Sequence, residues 1–373
     1  MTETDGGWAV NMRLPDALDS RTDAHAFGGV GIPMVTGLGS CPGGRTTDNQ
    51  SDSGPNGAQA PFSRPQVLPP RGVERLRVTA ADRLLSAGER IASEPPSPEE
   101  ILFTHTVFCQ VALPRSEVFD ENGVSATEFM RRWGEAWVSI SAGYLDEGRG
   151  PVRQTVPYGV LPRLAISYIN SYAIREKKRE VPIGNSAAEF MQKLGHGNQG
   201  GARYAALRRA MHSLAACRLQ LGYLGKTFNG QPVEEFYAWP KGSIDQRTLW
   251  PGVVLLSESY FESLRGFSVP LDQRALLALK GTALGLDIYT WLAHRLRKVH
   301  VSRPDRISWS ALTGQFGQEY GNADNFRKEM KRVLRQVLAV YPSARVEVHR
   351  WGLEIFSSPP PVAPKVTRSG WSS

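Results

Sequence analysis

Gly225-Lys226-Thr227 has the tail of a phosphate-binding loop, in which backbone N–H groups and a lysine cradle a nucleotide's phosphates. That loop also needs a glycine five positions before Gly225, and Gln220 stands there. Nucleotide hydrolysis is therefore not expected. A DNA-nicking tyrosine enzyme would hold its metal with two histidines spaced two apart. The histidines here (His25, His105, His196, His212, His294, His300 and His349) never stand so; the nearest pair, His294 and His300, is six residues apart. His212 and His349 read as phosphate contacts or surface residues, not metal ligands. There is no Gly-x-Ser-x-Gly elbow. Cys41, Cys109 and Cys217 are too few and too widely spaced for a disulfide framework or a zinc site. The expectation is a protein that is not an enzyme and needs no metal and no cofactor.

The residues left to do chemistry are cations. Arg327, Lys328, Lys331, Arg332 and Arg335 crowd into nine positions with Glu329 as the nearest acid. Such a group repels itself unless water or an anion screens it, and a phosphate backbone is the obvious anion. The element that positions them is a helix over Asn325 to Tyr341, because Phe326, Met330, Val333, Val337 and Tyr341 recur at helical spacing on the opposite side. Ser308 is a plausible N-cap for a short helix closed by Gly314 and Gly317. Arg345 to Phe356 reads as a hairpin turning at Trp351-Gly352. Leu276 to Val299 supplies a preceding apolar helix. Helix, short helix, long basic helix and hairpin make a winged helix-turn-helix, whose second helix of the pair lies in the major groove.

An earlier stretch keeps the same order. Leu161 to Ile174 is an apolar helix, and Val181 and Ile183 suggest a short strand. Ser186 caps a helix through Leu194, with Glu189 at the capping-box position. Gly195 to Gly201 is the turn. The helix Ala202 to Cys217 turns Tyr204, Leu207, Met211 and Leu214 inward and leaves Arg208, Arg209, His212 and Ser213 outside. Its hairpin would be Arg218 to Trp239, turning at Asn229-Gly230. The fold class is thus α+β, with tandem winged helix-turn-helix domains and a disordered N-terminal tail.

Charge follows this division. The net charge is +8. Residues 155–270 carry 14 Lys and Arg against 8 Asp and Glu, residues 271–357 again 14 against 8, and residues 1–154 carry 14 against 20. Basic charge concentrated on both candidate modules is the electrostatic footprint of a nucleic-acid binder. Boundaries are expected at 1–70 (disordered tail), 71–154 (acidic linker with strands and a helix), 155–270 and 271–358 (winged helices), and 359–373 (flexible tail). Gly28 to Gln66 is too rich in Gly, Pro, Ser and Asn to bury a core. Val78 to Ala92 reads as an isolated helix, and the strand-like runs Ile101 to Leu113 and Trp133 to Leu145 form either a small subdomain or strands added to the first winged helix. No apolar run approaches ~18 residues, no charged-then-apolar leader opens the chain, and a reducing cytoplasm suits the cysteines.

Several short motifs occur in order: Leu113-Pro114-Arg115, Pro157-Tyr158-Gly159, Pro162-Arg163-Leu164-Ala165, Arg179 to Ser186 (REVPIGNS), Glu189-Phe190, Leu194-Gly195 and Gly200-Gly201. Together they make Phe103 to Ile355 resemble the RepA-type plasmid replication initiators. The resemblance implies binding to repeats in double-stranded DNA at a plasmid origin, opening of adjacent duplex, and recruitment of a host replication initiator and helicase. The contacts expected are Asn198, Gln199 and Arg203 at the start of the first recognition helix, Arg208, Arg209 and His212 along it, the five cations Arg327 to Arg335 on the second, and Lys226, Arg345 and Arg350 on the hairpins. A homodimer through the strands at 101–145 is a further possibility, and a winged-helix repressor at an operator is the alternative function.

Overall fold

The computed structural model describes residues 79–197, 200–236 and 252–363. They begin with α1 (Ala80–Ser93), β1 (Ile101–His105), β2 (Glu128–Trp133), β3 (Ala136–Ser141), β4 (Tyr144–Asp146) and β5 (Pro151–Arg153). Next come α2 (Val160–Glu176), β6 (Glu180–Pro182), α3 (Ala187–Lys193), α4 (Gly201–Ala216), β7 (Arg218–Tyr223), β8 (Lys226–Gly230), β9 (Val233–Glu235) and β10 (Val253–Leu256). The chain continues with α5 (Glu258–Gly266), β11 (Ser268–Asp272), α6 (Gln273–Leu279), α7 (Ala283–Arg295), β12 (Asp305–Ser308), α8 (Trp309–Phe316), α9 (Ala323–Ala339), β13 (Val346–Val348) and β14 (Gly352–Ile355). The fold is mixed α and β, with several small antiparallel sheets. The expected tail at 1–70, Asn198, Gln199, the stretch reaching Trp239, and 364–373 lie outside the described residues.

Two stretches share one plan. After α2 come β6, α3, α4 and a sheet ordered β6-β10-β9; after α7 come β12, α8, α9 and a sheet ordered β12-β14-β13. In each, the short strand before the helix pair lies against the last strand of the plan. Local chemistry accounts for the helices. Ser308 accepts from the Ala311 N–H and starts α8, and Asn322 accepts from the Asp324 N–H and starts α9. The α9 stripe of Phe326, Met330, Val333, Leu334 and Val337 is buried, each side chain contributing ~1.5–3 kcal/mol of transfer free energy. Ser186 caps α3 as expected, but Glu189 reaches the Asn185 N–H at 2.8 Å, one residue before the cap.

The first hairpin departs from expectation. The turn after β7 is Leu224-Gly225, both at positive φ (49° and 78°), the geometry of a two-residue primed turn. Asn229 lies in β8, where its side-chain oxygen accepts from Arg218 and Gln220. Moreover, β7 and β8 belong to a four-stranded sheet ordered β2-β3-β7-β8. By the shared plan, β9 and β10 take the place that β13 and β14 hold later. Of the two readings of the early strands, β2 and β3 are additions to β7, while β1 pairs with β11.

Other expectations also change. Leu276 to Val299 is two helices, α6 and α7, broken at Lys280-Gly281-Thr282, followed by a 3-10 turn. Gly314 lies inside α8 facing Trp133, and Gly317 alone caps that helix. The turn of the second hairpin is His349-Arg350-Trp351, with Gly352 already in β14, where any Cβ would strike the Ile307 carbonyl. Nor is α1 isolated: Leu84 is buried, and Gly88 lies so close to α9 that a Cβ would collide with the Ala339 carbonyl. The start of the C-terminal tail is packed, since Tyr341 donates to the Pro359 carbonyl at 2.8 Å, Ser358 Oγ accepts from the Arg345 N–H, and Val362 is buried.

A buried polar brace joins the two plans. Arg163 of α2 makes two hydrogen bonds to Asp287 of α7, at 2.7 and 3.0 Å, and donates to the carbonyls of Leu113, Pro114 and Gly159. Beside it, Arg131 meets Glu319 at 3.0 Å, and the Arg115 and Ser116 N–H groups donate to the same carboxylate. Burial alone would raise the Glu319 carboxyl, but Arg115 and Arg131 hold it below the usual range. The motif residues Leu113, Pro114, Arg115, Gly159 and Arg163 are thus internal architecture.

Candidate nucleic-acid interface

The outer face of α9 is built by subtraction. All five cations, Arg327, Lys328, Lys331, Arg332 and Arg335, are exposed. Arg327 pairs with Asp324 at 3.1 Å and Arg332 with Glu329 at 2.6 Å, and exposed pairs of this kind are worth little. Among the described residues no carboxylate lies in ion-pair range of Lys328, Lys331 or Arg335. Lys331 Nζ stands 5.4 Å from the centroid of Trp309 at the start of α8. Trp309 in turn donates its indole N–H to the His349 carbonyl at 3.2 Å and its backbone N–H to the Trp351 carbonyl at 3.0 Å. The hairpin tip is therefore tied to the helix pair, and it presents Arg350 and a 41% exposed Trp351. Arg345 is exposed over the Phe356 ring, 5.0 Å from its centroid.

The corresponding face of α4 is partly covered. Leu207, Met211 and Leu214 are buried and Tyr204 half-buried, as expected. His212, however, is 1% exposed and Ser213 is buried, because the β4–β5 hairpin lies over this face. Its turn residue Glu147 sits 3.2 Å from His212 Nδ1 and 3.3 Å from Arg208. Burial lowers the His212 pKa, and Glu147 opposes that shift. His212 is thus an internal residue, and Arg208 is half-buried against Glu147. Arg209 remains exposed.

At the start of α4, Arg203 is exposed and lies 3.3 Å from His196 Nδ1. Lys280 donates to the Gly195 carbonyl nearby. Burial, with Lys280 and Arg203 adding to it, pushes the His196 pKa down to about 4. Lys280, from the end of α6, adds positive charge beside this turn, whereas His196 is neutral at neutral pH; neither stood out in the sequence. Lys226 lies in β8 with its ammonium 4.8 Å from the Phe267 ring centroid; it opens no helix, so the Gly-Lys-Thr tripeptide has no phosphate-loop context, and it is not on the hairpin that matches β13–β14. Cys109 and Cys217 are buried, which pushes both thiols up to about 12. Glu347, His349 and Glu354 bring three metal-competent donors together on the second hairpin. No helix among the described residues is long and apolar enough to cross a membrane.

The family model described as "Plasmid encoded RepA protein" matches residues 156–313, from just before α2 into α8. That span carries most of the motifs on which the resemblance was drawn. Two crystal structures of RctB comprising its domains 2 and 3 are similar: one at TM-score 0.40 and 14% identity over 62% of this chain and 82% of that one, the other at 0.38 and 13% over 64% and 83%. No curated protein matches.

Proposed function

We propose that this chain is a plasmid replication initiator. In this reading it binds repeated double-stranded sites at an origin, promotes opening of adjacent duplex, and recruits the host replication initiator and helicase. The observation that carries it is the repeated plan itself, which in this reading is a pair of winged helix-turn-helices, each offering its long helix, α4 or α9, to a major groove. The RepA match over residues 156–313 supports the biological role.

Contacts on α9 come from Lys328, Lys331 and Arg335 first, with Arg327 and Arg332 held back by their own acids. On the first copy they come from Arg203 and Arg209, joined by Asn198 and Gln199, which precede that helix in sequence. Arg345 and Arg350 follow phosphates. His212, Arg208 and Lys226 drop out of the contact set. Opening relies on binding and bending free energy at an easily unstacked site, as expected of a protein that is not an enzyme. A homodimer would form through the free edge of β2, where Met130 is 69% exposed. If ~6–10 phosphates are neutralised, affinity falls roughly 10³–10⁵-fold between low and moderate salt.

The test is DNase footprinting over the DNA flanking the protein's own gene, beside the Lys331→Ala/Arg335→Ala variant. Evenly spaced direct repeats next to an AT-rich stretch, protected by the parent and lost in the variant, are expected. A single inverted repeat over the promoter would instead identify a repressor, and no specific protection would sink both readings.

A further inference from the structure

On the second hairpin, Glu347 of β13 and Glu354 of β14 are direct cross-strand partners. Carboxylates directly opposite each other in an antiparallel ladder repel, so this pairing calls for a cation between them. Arg306 of β12, the partner of Glu354 on its other side, neutralises part of the row: its Nε donates to Glu354 Oε1 at 2.9 Å. That bond orients the carboxylate and leaves Oε2 turned toward His349. His349 opens the turn two residues beyond Glu347, and its ring lies against both carboxylates.

The His349 Nε2 atom lies 3.5 Å from Glu347 Oε2 and 3.3 Å from Glu354 Oε2. It is shielded from solvent and makes no hydrogen bond to either oxygen. One donor atom from each of the three residues falls within a 4.8 Å cluster. An ion with ligand bonds of about 2.0 Å in tetrahedral geometry separates neighbouring donors by about 3.3 Å, close to the spacing here. The imidazole ring is already oriented, stacked on Trp351 at 5.0 Å and 7°.

We propose that Glu347, His349 and Glu354 form a divalent-cation site that locks the hairpin tip. Two carboxylates and one imidazole favour a borderline transition ion of the zinc class over calcium or magnesium, which take oxygen ligands. The remaining position is open to water. Arg306 is the outer partner that aims Glu354. The consequence is a tip whose Arg350 and Trp351 are fixed before any other molecule arrives. No pair of histidines marks such a site; its pattern is a glutamate near a strand end, a histidine opening the turn that follows, and a glutamate opposite on the returning strand. This proposal goes beyond the DNA-binding reading and does not depend on it.

The experiment is calorimetric titration of the chelator-stripped full chain with Zn²⁺ near neutral pH, following tryptophan emission in parallel. A saturable site is expected, weakened roughly tenfold or more in Glu347→Gln and in His349→Ala, and unchanged in Glu128→Gln, an exposed carboxylate elsewhere. Saturation should also change the emission, and that change should vanish in Trp351→Phe. Absence of saturable binding, the result expected if the three side chains only pack against one another, would overturn the proposal. Binding undiminished in both Glu347→Gln and His349→Ala would do the same.

Discussion

The long helices α4 and α9 occupy the same place in the same plan, yet only one keeps an open basic face. On α9 the apolar stripe and the cations divide the surface cleanly, and Lys328, Lys331 and Arg335 point at no carboxylate among the described residues. On α4 the β4–β5 hairpin brings Glu147 onto Arg208 and His212 and buries the latter. Equal topology therefore does not make equal surfaces. In the first copy the electropositive end is the start of the helix, around Arg203 and Lys280; in the second it is the whole outer face.

The comparison holds only while the two copies are braced, so the largest expected effect comes from breaking the brace. Asp287→Ala leaves Arg163 buried without its carboxylate and should cost ~3–5 kcal/mol in urea unfolding. A double change of Arg163 and Asp287 to apolar residues of similar volume should recover much of that loss.

Next in size is acid sensitivity. Burial lowers His105 and His294 from 6.5 to about 3. Because the folded pKa lies below the unfolded one, their contribution is complete above about 6.5 and is lost as pH falls toward about 3. At pH 5 each should cost on the order of 2 kcal/mol. His105→Gln and His294→Gln should flatten that part of the stability–pH curve.

Uncovering α4 tests the comparison directly. Glu147→Ala removes the acceptor shared by Arg208 and His212 and should destabilise the fold by ~1–3 kcal/mol, while raising duplex affinity as Arg208 is released toward solvent. A filter-binding titration beside an unfolding curve checks both signs. Arg327→Ala should do least, within about 0.5 kcal/mol in stability, since its pair with Asp324 is exposed.

What was legible in the sequence was local. The α9 stripe, the Ser308 and Ser186 caps and the second hairpin each announce themselves within about four turns of helix or two short strands. What was missed depends on partners far along the chain. Glu147 covers α4 from some sixty residues away, and β1 finds β11 across a separation greater than one hundred and sixty. The first hairpin was misplaced because Asn229-Gly230 is the stronger dipeptide signal, whereas the turn uses Leu224 at positive φ, an uncommon choice for a branched side chain. The motifs behind the family resemblance were legible as motifs, but their role in the Arg163–Asp287 brace was not, because the two partners lie 124 residues apart. For the site, α9 was read correctly as exposed and basic, while His212 failed because an amphipathic pattern cannot report a cover supplied by another segment.

The most direct test compares one triple and one double variant on one repeated duplex site over a range of salt. Lys328→Ala/Lys331→Ala/Arg335→Ala removes the open face of α9, and Arg203→Ala/Arg209→Ala removes the exposed cations of α4. The account predicts that the slope of log affinity against log salt falls by about 2.7 for the α9 variant, with a smaller fall of at most about 1.8 for the α4 variant. An unchanged slope in the α9 variant, or a larger loss in the α4 variant, would contradict it.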